Sequence, residues 1–106
     1  MNPPLPLARH TKTLLVILCE AALEKALVRD ARAAGAQGWT VTDVRGGGSE
    51  GVRDGIWEAD RNIELKIICE AAVAETIAEQ VMAQYVPHYA LALYFSEVEV
   101  LRPDRF

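Results

Sequence analysis

Three consecutive glycines, Gly46-Gly47-Gly48, end the stretch Gly38-Trp39-Thr40-Val41-Thr42-Asp43-Val44-Arg45 and are followed by Ser49 and Arg53. Consecutive glycines at a strand end can turn successive N–H groups inward as a concave anion nest, because a residue without Cβ reaches the required dihedrals freely. Arg45, Ser49 and Arg53 would add charge-assisted hydrogen bonds to a phosphate or carboxylate. Gly-Gly-Gly-Ser also reads as a flexible tether, and the residues alone leave both readings open. Near the other end of the chain, His88 follows Pro87 and reads as a turn residue or a ligand contact. Glu20 and Glu70 stand at predicted helix starts, where a carboxylate favours the positive end of the helix dipole over acid–base work. Trp57, in a polar stretch, is either an anchor or part of a partner surface. His, Cys, Asp and Glu show no metal-site spacing and no nucleophile stands beside a base, so neither enzyme chemistry nor a metal is expected.

The elements that position these residues come from an internal repeat. Leu14–Leu27 (LLVILCEAALEKAL) returns fifty residues later as Glu64–Ile77 (ELKIICEAAVAETI), sharing Cys-Glu-Ala-Ala at 19–22 and 69–72. Each copy runs from an apolar strand through a cysteine into an amphipathic helix, then a turn and a β-rich run, so the chain is βαβ twice. The strand over 13–19 is apolar throughout. That over 63–69 alternates, with Ile63, Leu65, Ile67 and Cys69 facing one way and Glu64 and Lys66 the other. The first helix, about 20–34, carries Leu23, Ala26, Leu27 and Ala34 on one stripe and stops at Gly35. The second, 70–85, repeats Val73, Ile77, Val81 and Tyr85 and ends before Pro87.

Two such units with right-handed crossovers interleave into an α+β ferredoxin-like βαββαβ sandwich: a four-stranded antiparallel sheet with both helices on one face. Trp39, Val41, Ala90, Leu91, Leu93, Phe95, Val98 and Val100 put apolar material in the outer strands, so an oligomer is expected to cover the helix-free face. Cys19 and Cys69 fall at opposite sheet edges, roughly 20 Å apart, as free thiols rather than a disulfide. The connection over 46–61 is far longer than the two to five residues usual in a hairpin. It opens at the same edge as 86–89.

Length bounds the rest: 106 residues make one domain. Residues 1–11, with Pro3, Pro4 and Pro6, read as a loose arm before a single domain over 12–106. Asp and Glu outnumber Lys and Arg by 15 to 11 without a basic run, so nucleic acid is not the expected partner. The longest apolar run, Leu14 to Cys19, is six residues, against roughly 20 to span a bilayer. Arg9, His10 and Lys12 before it and Cys19 after it only faintly suggest a lipoprotein signal, because Ile17 and Leu18 stand where small residues are needed. A soluble cytoplasmic protein without membrane insertion is expected.

The segment Gly38 to Gly48 resembles the Gly-x-Thr-Val-x-Glu-Val-x-Gly-x-Gly run that leads into the T-loop of PII signal-transduction proteins. The resemblance covers about residues 12–102 and implies a homotrimer of ferredoxin-like subunits that binds adenine nucleotides in intersubunit clefts, with 46–61 as the T-loop. Several family features are missing. Val86-Pro87-His88-Tyr89-Ala90 replaces a Gly-Asp-Gly-Lys loop, no tyrosine for uridylylation lies in 46–61, and Arg-x-Arg-Thr-Gly is reduced to Leu101-Arg102-Pro103. The chain is closer to the PII-like branch tied to inorganic carbon, the SbtB and carboxysome-associated PII proteins, through Ala78-Glu79-Gln80-Val81, His88-Tyr89-Ala90 and Glu97-Val98-Glu99-Val100-Leu101; of the two it is more similar to the carboxysome-associated type. That resemblance implies a sensor of AMP or ADP, with bicarbonate as a second candidate ligand and a bicarbonate transporter or carboxysome-related protein as partner. It places Thr40 at the base and ribose, backbone of Asn62 and Ile63 along the adenine, Gly46, Gly47, Gly48 and Ser49 on phosphate or bicarbonate, Arg53 as countercharge and Tyr89 closing the cleft. The resemblance favours the ligand-ordered nest over the tether. Two rival readings share the sandwich: a CutA-like structural or metal-tolerance trimer, and an acylphosphatase-like enzyme, whose phosphate-cradling arginine has no counterpart in Cys19-Glu20-Ala21-Ala22.

Overall fold

Strand β1, His10–Glu20, carries the apolar run Leu14 to Cys19 and pairs antiparallel on both sides. The computed structural model describes residues 7–45 and 61–106. After β1 the chain passes through a 3-10 turn, Ala21–Leu23, into helix α1, Glu24–Ala33. Strand β2 follows at Thr40–Val44, β3 at Asn62–Cys69, helix α2 at Ala71–Gln84, β4 at Ala92–Val100 and a final 3-10 turn at Pro103–Arg105. The sheet order is β2-β3-β1-β4, with every pairing antiparallel. This is the expected ferredoxin-like sandwich.

The alternation along β3 decides what the helices cover. Ile63, Leu65 and Ile67 are fully buried and Cys69 nearly so, joined by Leu15, Ile17 and Cys19 of β1. Leu27 and Ala31 of α1, with Ala74, Ile77 and Val81 of α2, close over them as one core. Burying a side chain the size of Leu or Ile contributes about 1.5–3 kcal/mol, so this layer dominates stability. Gly35 ends α1 as predicted, with φ +115°, a conformation that costs a residue with a Cβ.

Several boundaries differ from the sequence expectation. β1 begins at His10, paired with Val100, so the last residues of the expected arm belong to the sheet; the β4 register supplies partners that no local pattern reveals. The first helical turn is 3-10, closed by Glu24 N–H on the Ala21 carbonyl, and the Ala21 N–H, which has no partner within a helix, donates to the Arg61 carbonyl at 2.8 Å. Glu20 and Glu70 occupy N-cap positions in extended conformation but make no side-chain cap hydrogen bond. Glu70 instead pairs with the buried Lys12 of β1. Val41, Leu91 and Leu93, expected on the helix-free face, pack against the core. Tyr94 and Phe95 of β4 are the strand aromatics left about half exposed, at 50% and 46%.

The cysteines behave as expected. Cys19 aligns with Ile63 and Cys69 with Thr13, a separation of six residues along β1 or about 20 Å. Both thiols are free and buried. Burial, reinforced by Glu20 and Glu24, pushes Cys19 up to about 12; burial and Glu70 also raise Cys69, against a lowering by Lys12. Among the described residues, no helix is long and apolar enough to cross a membrane.

Candidate functional site

Two places on the sheet collect the residues singled out above, and β2 joins them. The first is the sheet end where Glu20 and Val44 both align with Asn62, and Ala92 with Leu18. Here the chain leaves β2 and returns to β3, and here the turn between α2 and β4 also opens, as the topology predicts. Arg61 closes the return point. Its guanidinium donates to Asp43 Oδ1 at 2.7 Å while its carbonyl accepts from Ala21 N–H at 2.8 Å. The Asp43 hydrogen bond and charge hold Arg61 still more firmly protonated than usual. With its amide committed to Arg61, Ala21 does not present that N–H to a phosphate, as a cradle after the first strand would need.

The turn before β4 is built from backbone bonds onto the last turn of α2. His88 N–H and Tyr89 N–H both donate to the Tyr85 carbonyl at 2.9 Å, and Val86 N–H reaches the Val81 carbonyl at 3.1 Å. Tyr85 O–H donates to Asp30 Oδ2 at 2.5 Å, tying α2 to α1 and raising the phenol above its ordinary value. The Tyr85 and Tyr89 rings lie 6.5 Å apart at 40°. His88 and Tyr89 are exposed, on a turn whose backbone is already satisfied.

The second place is a cleft of about 560 Å³ on the helix-free face, lined by Leu14, Gly38, Trp39, Thr40, Lys66, Ile68, Arg105 and Phe106. Thr40 aligns with Lys66 in the β2–β3 register. The cleft combines the apolar surfaces of Leu14, Ile68 and Phe106, the hydroxyl of Thr40, and two cations. Lys66 Nζ lies 3.2 Å from Glu64. Such a lining suits a flat, partly apolar group that carries a hydrogen-bonding edge and is joined to an anion.

Of the residues expected to bind, Thr40 stands in this cleft. Asn62, Ile63 and Tyr89 belong to the other place: from Lys66, the partner of Thr40, to Asn62 is four residues of β3, about 13 Å. Ile63 is fully buried and aligned with Cys19 on one side and Asp43 on the other. Gly46, Gly47, Gly48, Ser49 and Arg53, like Trp57, lie outside the described residues. Sequence reasoning missed Lys66, Arg105 and Phe106. Lys66 was legible as an outward residue of an alternating strand, whereas no local signal marks Arg105 and Phe106, which reach Thr40 only through the tertiary fold.

The family profile described as Nitrogen regulatory protein P-II matches residues 12–105. The crystal structure of a PII-like signaling protein from Thermus thermophilus is similar at 38% identity, covering 92% of this chain and 97% of that one, with a TM-score of 0.79. CPII from Thiomonas intermedia K12 bound to ADP and bicarbonate is similar at 20% identity, covering 95% and 99% of the two chains, with a TM-score of 0.82. CPII bound to ADP, AMP and acetate matches at 19% identity over 93% and 97%, with a TM-score of 0.81. At that identity the CPII likeness speaks for the fold.

Proposed function

Because the chain belongs to the nitrogen regulatory protein P-II family, we propose that it is a PII-like regulatory sensor of adenine nucleotide, AMP or ADP, with bicarbonate as second ligand. The observation that carries the reading is the Thr40 cleft, with its apolar walls, hydroxyl and two cations, which opens at the start of β2, about 13 Å along the strand from Val44. Solved structures of CPII, which shares the fold, hold ADP with AMP or bicarbonate.

In this reading the adenine lies against Leu14 and Ile68 with its polar edge at Thr40 and the phosphates beside the cleft's own cations, while Gly46, Gly47, Gly48 and Ser49 take the bicarbonate. Lys66, Arg105 and Arg53 supply countercharge. Asn62 and Ile63, expected along the adenine, stand about 13 Å along β3 from this placement and form the strand end beside the loop instead. Tyr89 of an adjoining subunit closes the cleft, which makes the working form a homotrimer. Residues 46–61 act as a T-loop that nucleotide and anion fix together, by supplying enough contacts to offset the entropy of fixing a glycine-rich segment. Linkage then requires each ligand to tighten the other by the same factor. The ordered loop reports energy and inorganic-carbon status in the cytoplasm to a bicarbonate transporter or carboxysome-related protein. The protein works by changing partners rather than by catalysing a reaction.

Isothermal titration with AMP, ADP, ATP and cyclic AMP, each with and without bicarbonate, tests this. Micromolar or tighter binding of AMP or ADP that strengthens with bicarbonate is expected. Silence toward every nucleotide would overturn the sensor reading, and nucleotide binding indifferent to bicarbonate would remove the carbon-linked half of it. Light scattering on the purified protein checks the trimer.

A further inference from the structure

We propose that the outer groove along α1, which shares Trp39 with the lining of the Thr40 cleft, is a docking site for an extended acidic segment of a partner protein. Lys25, Arg29 and Arg32 stand at i, i+4 and i+7 of the helix and therefore form one stripe. With Glu24, Val28 and Trp39 they line a groove of about 550 Å³. Against Glu24 in the lining and Asp30 beside Arg29, these three Lys and Arg residues leave the groove net positive in a chain whose acids outnumber its bases.

The cations are available. Arg29 Nε donates to Asp30 Oδ1 at 3.4 Å, a long contact from a side chain that is 73% exposed. Among the described residues no carboxylate forms an ion pair with Lys25 or Arg32. The Arg32 guanidinium carbon lies over the Trp39 ring, 5.7 Å from its centre, a cation–π contact that favours one position of the charge. From Lys25 to Arg32 the stripe runs about 10.5 Å along the helix. An extended peptide presents same-side carboxylates every ~6.7 Å, so acids at alternate positions fall within reach of the three long side chains. A flat anionic membrane fits less well. An interfacial helix needs an exposed apolar face, whereas the apolar residues Leu27 and Ala31 of α1 are buried in the core; Glu24 also faces the groove.

The test uses the full chain and a fluorescein-labelled peptide of alternating glutamate and alanine, read by fluorescence polarisation. Expected are saturable binding that falls with salt, loss of binding when glutamine replaces glutamate in the peptide, and a weakening of roughly tenfold or more in Arg29→Glu/Arg32→Glu and separately in Lys25→Glu. Arg32→Lys, which keeps the charge and loses the guanidinium over Trp39, is expected to fall between. All three substituted positions line the outer groove of α1, and circular dichroism checks that the helix content is kept. Equal binding by the charge-reversed proteins, absence of peptide binding by the wild type, or wild-type binding to phosphatidylserine vesicles in place of the peptide would each overturn the proposal.

Discussion

The pair formed by Lys12 and Glu70 makes an asymmetric prediction. Lys12 is only 8% exposed, whereas its partner Glu70, at the N-cap of α2, is 67% exposed. Glu70→Gln removes the charge opposite a buried ammonium and leaves that ammonium in place. Breaking a fully buried pair in this way costs about 3–5 kcal/mol. Because water reaches Glu70 and screens the pair, about 1–2 kcal/mol is expected instead. Lys12→Met does the reverse: it keeps most of the apolar stem, removes the need to desolvate a charge, and leaves Glu70 in water. A change within about 1 kcal/mol of zero is expected. The double variant should match Lys12→Met, giving a coupling of about 1–2 kcal/mol in the cycle. Urea unfolding at one fixed protein concentration measures this as a shift in midpoint at unchanged slope. If Glu70→Gln is as stable as the wild type, or Lys12→Met is the more damaging of the two, the reasoning from unequal burial is wrong.

Gly35→Ala places a Cβ on a residue at φ +115°, 3.4 Å from Val73 Cγ2; a loss of roughly 1–2 kcal/mol is expected in the same assay, and a neutral result would show that the α1 terminus relaxes. Burial raises the Cys19 thiol from 9.0 to about 12, so the folded state holds the proton more tightly than the unfolded chain, and stability should be undiminished below pH 9 and decline as pH rises toward 12. Melting temperature against pH should therefore fall more steeply in the wild type than in Cys19→Ala; parallel curves would exclude Cys19 as the cause. Thr40→Ala removes one hydrogen-bonding group from the cleft and should weaken ADP about fivefold at unchanged stability; unchanged titration curves would move the nucleotide away from Thr40.

The local elements and their order were legible in neighbouring residues. The Cys-Glu-Ala-Ala repeat marked two βαβ units, the alternation from Ile63 to Cys69 told which face of β3 the helices cover, and Gly35 marked the end of α1. These are short-range signals: side-chain period and the φ demands of single residues are written in neighbouring positions. What depends on register came with the fold. It extended β1 to His10 through pairing with Val100, set Val41 and Leu93 against the core, joined Ala21 to Arg61, and turned Glu70 from a cap into the partner of Lys12. It also assembled the Thr40 cleft from Leu14, Lys66 and Phe106. Residues that far apart carry no shared period, so which of them meet is decided by the strand pairings and by where the C-terminal turn comes to rest.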